Sequence, residues 1–441
     1  MTVNVAIEEL GPCKKLVRFE LEPKEVDAAF DETSKEFQRH AALPGFRPGK
    51  APKDLVLKKY EKDIQDEVKR KLISDSYSKS IKEHKLEVVG YPDIEEIQFA
   101  KGQPFQFAAT VETAPKFEMP EYRGLPAKRD LARVTEADID KAILALQMQQ
   151  AKFEKVDHAI AESDFAVINY SGRCEGKPIS EWAPVARGLT EKKNFWLEVK
   201  QESFIPGFSP QLIGARPGDK RTVQVEFDKD FVTKEIAGKK GEFDVEIVEV
   251  KERHLPTPDN AFAKSYGAES VQELREGIRQ DLQNELNNKQ RTTIRNQIVE
   301  ALLNRVSFEL PESIVQAETR DVVYSIVSEN QKRGVAMEVL DQQKESIYSA
   351  ANAAARDRVR ADFLFRKIAD REGIRVQPEE LSGRITALAQ AYKMTPQAFY
   401  KELEKRNGVA DISMQILREK VVDFLQENAK IEDVASASGE S

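Results

Sequence analysis

The most distinctive string in the chain is a short loop, Gly45-Phe46-Arg47-Pro48-Gly49-Lys50-Ala51-Pro52, between two helical patterns. Its glycines and prolines restrict the backbone to a tight loop, and loops on a rigid scaffold commonly carry binding residues. Phe46 offers an aromatic ring, and Arg47 and Lys50 offer positive charge. We interpret residues 45–52 as a docking tip for a partner that bears phosphates. The alternative is a plain turn in which Phe46 packs back on its own domain.

The basic residues after this loop, Lys53, Lys58, Lys59 and Lys62, suit the first interpretation. The whole chain nevertheless carries 68 Lys and Arg against 76 Asp and Glu, a net charge of -8, which argues against a surface built overall for nucleic acid.

The length of 441 residues predicts about three domains, and the composition excludes several kinds of site. The two cysteines, Cys13 and Cys174, make neither a disulfide framework nor a metal cluster, and the four histidines are scattered singly. The chain has neither a signal-like start nor about 18 consecutive apolar residues, so we expect a cytoplasmic protein without a membrane partner.

The loop must be positioned by the N-terminal segment, whose pattern predicts an α+β domain over residues 1–113. Val17, Phe19 and Leu21 alternate with charged residues, as in a half-buried strand. Apolar residues at helical spacing predict helices on both sides of the loop, and turn residues such as Gly90-Tyr91-Pro92 separate further strands. The predicted helices cover 24–40 and 54–84, and the predicted strands cover 86–89, 94–99 and 105–111.

The middle of the chain changes character twice. Three prolines and a glycine make 114–129 a stiff extended linker without regular structure. A capping-box pattern at Thr135 and Asp138 then begins a helix that we expect to reach about Lys155. Beyond it, alternating apolar residues and Gly- or Pro-rich turns predict an antiparallel sheet domain. The two regions cover 114–158 (linker and helix) and 159–252 (sheet domain).

The rest of the chain is helical over 253–430, and residues 431–441 are predicted to be a disordered tail. The predicted helices include 312–332, 337–373, 378–392 and 396–428. Some apolar residues interrupt polar helical faces, and we expect each to pack in a core rather than line a cradle for unfolded chains. They are Phe363, Phe365, Tyr392, Met394, Phe399, Tyr400, Met414 and Ile416. The fold class is multidomain α+β, with an N-terminal α+β domain, an antiparallel sheet domain and an elongated all-α C-terminal domain.

The loop string resembles the Gly-Phe-Arg-x-Gly-x-x-Pro ribosome-binding signature of the bacterial trigger factor family. Gly45, Phe46, Arg47, Gly49 and Pro52 match it, and the order of segments is similar along essentially the whole chain. The resemblance implies that the tip, including Lys50, docks on protein and rRNA of the large ribosomal subunit at the tunnel exit. It also implies a discontinuous helical body that binds unfolded nascent polypeptides, and self-association of the free protein as a homodimer.

Three more strings are similar, in order and spacing, to the FKBP-type prolyl isomerase domain. They are Tyr170-Ser171-Gly172, Phe204-Ile205-Pro206-Gly207-Phe208 and Gly241-Glu242-Phe243-Asp244-Val245-Glu246. The resemblance assigns to a prolyl pocket Tyr170, Phe195, Ile205, Phe208 and Phe243, with Phe231 at its rim. A rotating amide loses resonance, so a dry apolar site favours the twisted state without a nucleophile, metal or cofactor. The alternative is that these aromatics form only the core of a small sheet domain.

Together the resemblances predict an ATP-independent, ribosome-associated chaperone that shields emerging apolar segments and isomerises X-Pro bonds. Uncatalysed X-Pro rotation takes on the order of tens to hundreds of seconds, slow enough to limit folding. Two alternatives are a free cytosolic prolyl isomerase and a holdase with a vestigial isomerase pocket, neither stably docked on ribosomes. A nucleic-acid binder is a third, and it would bind bare RNA in a salt-dependent way.

Overall fold

The structure of the chain, a computed structural model, describes residues 3–40, 46, 52–183, 186–201, 203–405 and 408–435. Its backbone forms two compact units. The first combines the residues up to Leu131 with those from Gln290 onward, and the second comprises Ala132–Lys289.

The described residues form strands and helices with the following bounds. The strands are β1 (Val3–Gly11), β2 (Lys14–Leu21), β3 (Val88–Gln98), β4 (Phe105–Thr113), β5 (Pro126–Asp130), β6 (Lys152–Val156), β7 (Phe165–Cys174), β8 (Lys177–Pro178), β9 (Glu191–Glu198), β10 (Lys220–Glu226), β11 (Lys240–His254) and β12 (Lys430–Val434). The helices are α1 (Pro23–His40), α2 (Lys53–Lys59), α3 (Glu61–Glu83), α4 (Glu136–Gln149), α5 (Ile179–Trp182), α6 (Arg187–Thr190), α7 (Asn260–Ser265), α8 (Val271–Leu303), α9 (Glu312–Lys332), α10 (Met337–Gln342), α11 (Lys344–Glu372), α12 (Pro378–Ala391), α13 (Pro396–Lys405) and α14 (Gly408–Glu427). A 3₁₀ turn covers Ser209–Leu212.

The N-terminal part of the first unit is an antiparallel sheet in the order β1-β2-β4-β3, packed on α1 and α3. Val17, Phe19 and Leu21 of β2 are buried in this core, as their alternation predicts. Phe19 stacks on Phe107 of β4 with ring centroids 4.4 Å apart. The helix α1 is therefore anchored on a packed sheet, and the loop that follows it starts from a fixed point.

The turn predicted at Gly90-Tyr91-Pro92 is wrong, because these residues lie inside the single strand β3. Pairing with β4 shifts register between Val89 and Asp93, so the extra residues form a bulge rather than a reversal of the chain. Gly90 has a φ of 76°, in the left-handed region that glycine adopts readily. Local glycine and proline signals could not reveal that strand pairing continues on both sides.

The C-terminal part of the first unit is a helical body that also takes in the segment before β5. Its main core joins residues from this segment, from the end of α8, from α11 and from α14. The fully or nearly buried members include Tyr122, Leu125, Ile298, Leu302, Leu364, Phe365, Val421 and Leu425.

Two predictions about irregular segments are wrong. β12 pairs in parallel with β5, from Lys430 opposite Pro126 to Val434 opposite Asp130. Arg129 and Asp433 add an ion pair across this ladder, with Nε and Oδ1 2.7 Å apart. The linker therefore contains a strand, and the tail predicted to be disordered from residue 431 begins as the partner of that strand.

Some helix predictions also need correction. The helix predicted over 312–332 matches α9, whereas the one over 337–373 divides into α10 and α11 and the one over 396–428 into α13 and α14. Core packing is confirmed for Phe365, Phe399 and Ile416. It is wrong for three residues around the α12–α13 connection, which are exposed: Tyr392, Met394 and Tyr400.

The second unit contains an antiparallel sheet in which β11 pairs with β6, β7 and β10, and β7 pairs with β8 and β9. One face of the sheet is apolar and buried, and it includes Ile168, Tyr170, Val223, Phe243 and Val245. The other face carries charged and polar residues such as Arg173, Asp244 and Glu246. The period of two found in the sequence reflects this division between the faces.

The helix predicted to reach Lys155 is wrong at its end, because α4 stops at Gln149 and β6 follows it. Lys152–Val156 pairs with the end of β11, a partner about a hundred residues away that local periodicity cannot indicate. The start of α4 is as predicted, since the Thr135 and Asp138 side chains form a reciprocal capping box. Leu146 of α4 packs on α7 and the beginning of α8.

Candidate functional site

The predicted docking tip lies between α1 and α2, whose facing ends are packed together. Phe37 of α1 and Tyr60 pack on Val56 of α2, which is buried, and the two rings lie 6.1 Å apart. Pro52 directly precedes α2 with extended backbone, at φ -56° and ψ 139°. The structure thus holds the base of the loop in place on the N-terminal domain.

Phe46 is 42% exposed, so its side chain is covered in part and reaches solvent in part. Lys58, Lys59 and Lys62 are also exposed, on α2 and the start of α3. Four residues assigned to the tip, Gly45, Arg47, Gly49 and Lys50, lie outside the described residues. A partly exposed aromatic ring that is followed in the sequence by exposed lysines is suited to a partner that combines apolar and anionic groups.

The predicted prolyl pocket gathers aromatic rings from three strands and one loop of the sheet domain. Tyr170 lies on β7, Phe195 on β9 and Phe243 on β11, whereas Phe208 directly precedes the 3₁₀ turn. Tyr170 is 5.6 Å from Phe195 and 6.0 Å from Phe243, and Phe208 is 5.3 Å from Phe243, all between ring centroids. These rings, together with Phe204 and Ile205, are called the aromatic cluster below.

The inner residues of the cluster are buried, whereas Phe195 and Phe204 are half-buried. Ile205, Phe208 and Phe243 have no exposed surface, and Tyr170 is 4% exposed. The Tyr170 hydroxyl donates a hydrogen bond to the carbonyl oxygen of Gly188 at 2.5 Å. Burial raises the pKa of Tyr170 to about 12, because the phenolate would be poorly solvated there.

Two further aromatic residues pack on the same core. Phe231 pairs with Phe227, at 4.9 Å between centroids, and packs half-buried at the edge of the same core. Sequence analysis gave no role to Phe204. Its ring contacts those of four other residues, Tyr170, Phe195, Phe208 and Phe243. The only sequence signal for it was its place in the Phe-Ile-Pro-Gly-Phe string.

The wall behind Phe243 depends on a glycine. A Cβ added at Gly172 of β7 would lie 2.5 Å from the Leu189 carbonyl oxygen, 2.7 Å from Phe243 Cε1 and 2.8 Å from Ile179 Cδ1. Only glycine leaves room for α5 and α6 to approach the strand so closely. Trp182 of α5 also packs on this core, and its indole N–H donates to the Cys174 carbonyl oxygen at 3.1 Å.

Comparison with known proteins places the whole chain in one family. Models of the bacterial trigger factor protein and of its C-terminus match residues 3–146 and 270–427. A model of the FKBP-type peptidyl-prolyl cis-trans isomerase matches residues 157–248. The trigger factor of Opitutus terrae is 33% identical over 436 residues, which cover 98% of this chain and 99% of that protein. The chain belongs to the trigger factor family.

A second relative, the trigger factor of Syntrophotalea carbinolica, is 29% identical over 98% of this chain and 97% of its own length. The family resemblance inferred from the two sets of strings is therefore confirmed, as is the multidomain α+β fold class with its antiparallel FKBP domain. The chain is a ribosome-associated chaperone with a peptidyl-prolyl isomerase domain, and it binds ribosomes and nascent chains. Among the described residues, no helix is both long and apolar enough to cross a membrane.

Proposed function

We propose that the docking tip anchors this chaperone on the large ribosomal subunit, at protein and rRNA beside the nascent-chain exit, and that the protein works in the cytoplasm. The observation that carries the proposal is Phe46, an aromatic ring that stays 42% exposed at the tip of a loop with a packed base. Such a ring contributes little to folding and much to an interface, where aromatic and arginine side chains dominate the binding energy.

Co-sedimentation with salt-washed ribosomes tests the tip. We expect saturable binding by the wild type, and about a thousandfold weaker binding by a Phe46→Ala, Arg47→Ala double variant, since two hot-spot residues contribute roughly 2 kcal/mol each. Leu55→Ala is the matched control, because Leu55 is a 47% exposed apolar residue on α2 outside the tip. Equal binding by all three proteins, or no binding by any, would favour a free chaperone and isomerase.

The client surface that we propose consists of apolar side chains exposed on the helices of the first unit. They include Tyr324 on α9, Met337 and Val339 on α10, Tyr348 on α11, and Tyr392, Met394 and Tyr400 around α12 and α13. Scattered apolar groups on a polar surface suit many weak contacts with varied unfolded segments. The same surface can bind a second copy, which supports a homodimer of the free protein.

The isomerase site that we propose is the aromatic cluster, with Tyr170, Phe195, Ile205, Phe208 and Phe243 around the prolyl ring and Phe231 at the rim. The burial of its inner residues supports the assignment, because a site shielded from water disfavours the planar, solvated amide relative to the twisted one.

Phe208→Leu tests the isomerase site in an NMR exchange assay on a short proline peptide, without a coupled protease. We expect kcat/KM to fall by about tenfold or more, since one aromatic contact contributes about 1.5 kcal/mol. Trp196→Leu is the control, because Trp196 is a 45% exposed aromatic on the opposite face of the same sheet. An inactive wild type would instead favour a holdase with a vestigial pocket.

A further inference from the structure

The ring of Phe204 lies in the middle of the aromatic cluster. Its centroid is 5.1 Å from Phe195, 5.1 Å from Phe208, 5.2 Å from Tyr170 and 6.3 Å from Phe243. Aromatic rings at about 4.5–7 Å are in contact. A prolyl ring therefore cannot enter among these four residues while Phe204 remains there.

Phe204 also lies nearer to solvent than the innermost residues of the cluster. Its own side chain is half-buried, whereas Ile205, Phe208 and Phe243 beneath it are fully buried. The buried contacts of the proposed site thus become accessible only when the Phe204 ring moves outward, toward the solvent that it already faces in part.

The backbone at Phe204 is in an unusual conformation. Its φ of 68° lies in the left-handed region, which a bulky side chain rarely adopts. Gly207, three residues later, has a φ of 77°. Such strained positions persist where the surroundings hold them, and they concentrate at functional sites. Here four ring contacts surround the Phe204 side chain.

We propose that Phe204 is the gate of the isomerase pocket, a residue that competes with the prolyl ring and sets how readily X-Pro segments enter. The inference rests on the isomerase site proposed above. The gate weakens apparent substrate binding by the fraction of molecules that are open, whereas the chemistry inside the opened site stays the same. Phe204 therefore acts on KM rather than on kcat.

The test compares full-length wild type with Phe204→Ala and Phe204→Leu, in the same NMR exchange assay on a short proline peptide. Minor states commonly hold about 0.1–10% of a protein population, so we expect Phe204→Ala to raise kcat/KM by about tenfold or more through a lower KM. Phe204→Leu, which keeps most of the buried apolar area, should lie between the two. If Phe204→Ala destabilises the domain, Phe204→Leu still tests the gate in a folded protein.

Control variants separate the gate from the site. Trp196→Ala, on the opposite face, should leave kcat and KM unchanged. If both Phe204 variants lower kcat/KM while they remain folded by circular dichroism, Phe204 is part of the pocket wall and the gate is wrong. If both Phe204 variants leave KM unchanged while Phe208→Leu loses isomerase activity, the proposed site is correct and the proposed role of Phe204 as a gate is wrong. If Phe208→Leu retains full activity, the site assignment fails and the gate fails with it.

Discussion

Phe46 in the docking tip and Phe208 in the aromatic cluster are the same side chain in opposite surroundings. Phe46 is 42% exposed, whereas Phe208 has no exposed surface. Burying a phenylalanine stabilises a fold by roughly 1.5–3 kcal/mol, so folding accounts for Phe208 but not for Phe46. An exposed ring without a folding role indicates a surface that is ready for a partner, while a buried ring indicates a site that must open first.

The two regions therefore place different limits on function. Phe46 is already partly exposed, so under the proposed docking the contacts made with the partner set the affinity of the tip. Binding at the cluster must first separate Phe204 from four rings in contact with it, so part of the substrate's binding free energy is used to open the site. The same protein can thus dock firmly and isomerise slowly.

The largest difference between Phe46 and Phe208 is expected when each ring is truncated to alanine. Phe208→Ala should destabilise the sheet domain by about 3–5 kcal/mol, because it leaves a cavity in a fully packed core. Phe46→Ala should change stability by no more than about 0.5 kcal/mol, as exposed substitutions generally do. Differential scanning calorimetry of the full chain suits the measurement, since a multidomain protein shows separate transitions. A large loss with Phe46→Ala would mean that the tip ring is structural.

A smaller effect is expected from Gly172→Ala, which tests how tightly the wall of the cluster is packed. The added methyl would collide with the Leu189 backbone and the Phe243 ring, at 2.5 and 2.7 Å. We expect a loss of about 1–3 kcal/mol from overpacking, together with lower isomerase activity. Gly188→Ala is the matched control, because a Cβ at Gly188 meets no atom of the described residues within 4 Å. Equal stability of the two variants would show that the wall yields easily and that the cluster is looser than its distances indicate.

Much of the fold could be predicted from the sequence because burial follows local periodicity. Val17, Phe19 and Leu21 identified a buried strand face, and helical spacing gave the bounds of α9. β5, β6 and β12 were missed because each is short and pairs with residues far away in the chain. Their own side chains carry little apolar signal, so the partner strand decides their structure.

The candidate isomerase site could also be predicted only in part. Resemblance to a family brought Tyr170, Phe195, Phe208 and Phe243 together, and the ring distances agree with that grouping. The role of Phe204 was not predictable, because its central position depends on a left-handed backbone that residue type alone disfavours. The Gly188 acceptor is a backbone atom, and sequence motifs carry no information about which carbonyl a hydroxyl will reach.

The smallest expected effect comes from Tyr170→Phe, which keeps the ring in the cluster and removes only its hydroxyl. The Gly188 carbonyl oxygen loses a donor at 2.5 Å, so we expect a loss of about 1 kcal/mol at neutral pH. The ring contacts with Phe195 and Phe243 remain, so isomerase activity should change less than with Phe208→Leu. An activity loss as large as that of Phe208→Leu would place the hydroxyl itself in the isomerase mechanism.

The pH dependence of stability shows whether this hydroxyl is as buried as the structure indicates. Burial raises the pKa of Tyr170 to about 12, so the folded chain keeps a proton that the unfolded chain releases from about pH 10. The stability due to this proton is fully present below pH 10 and is lost as pH rises toward 12. Tyr170→Phe should therefore unfold with a weaker alkaline dependence than the wild type. In calorimetry from pH 8 to about 11.5, we expect the two proteins to differ only in the transition of the sheet domain. Burial also raises the pKa values of Tyr77 and Tyr122, but these residues lie in the other unit. Identical alkaline slopes for both proteins would mean that solvent reaches Tyr170 and that the cluster is open without displacement of Phe204.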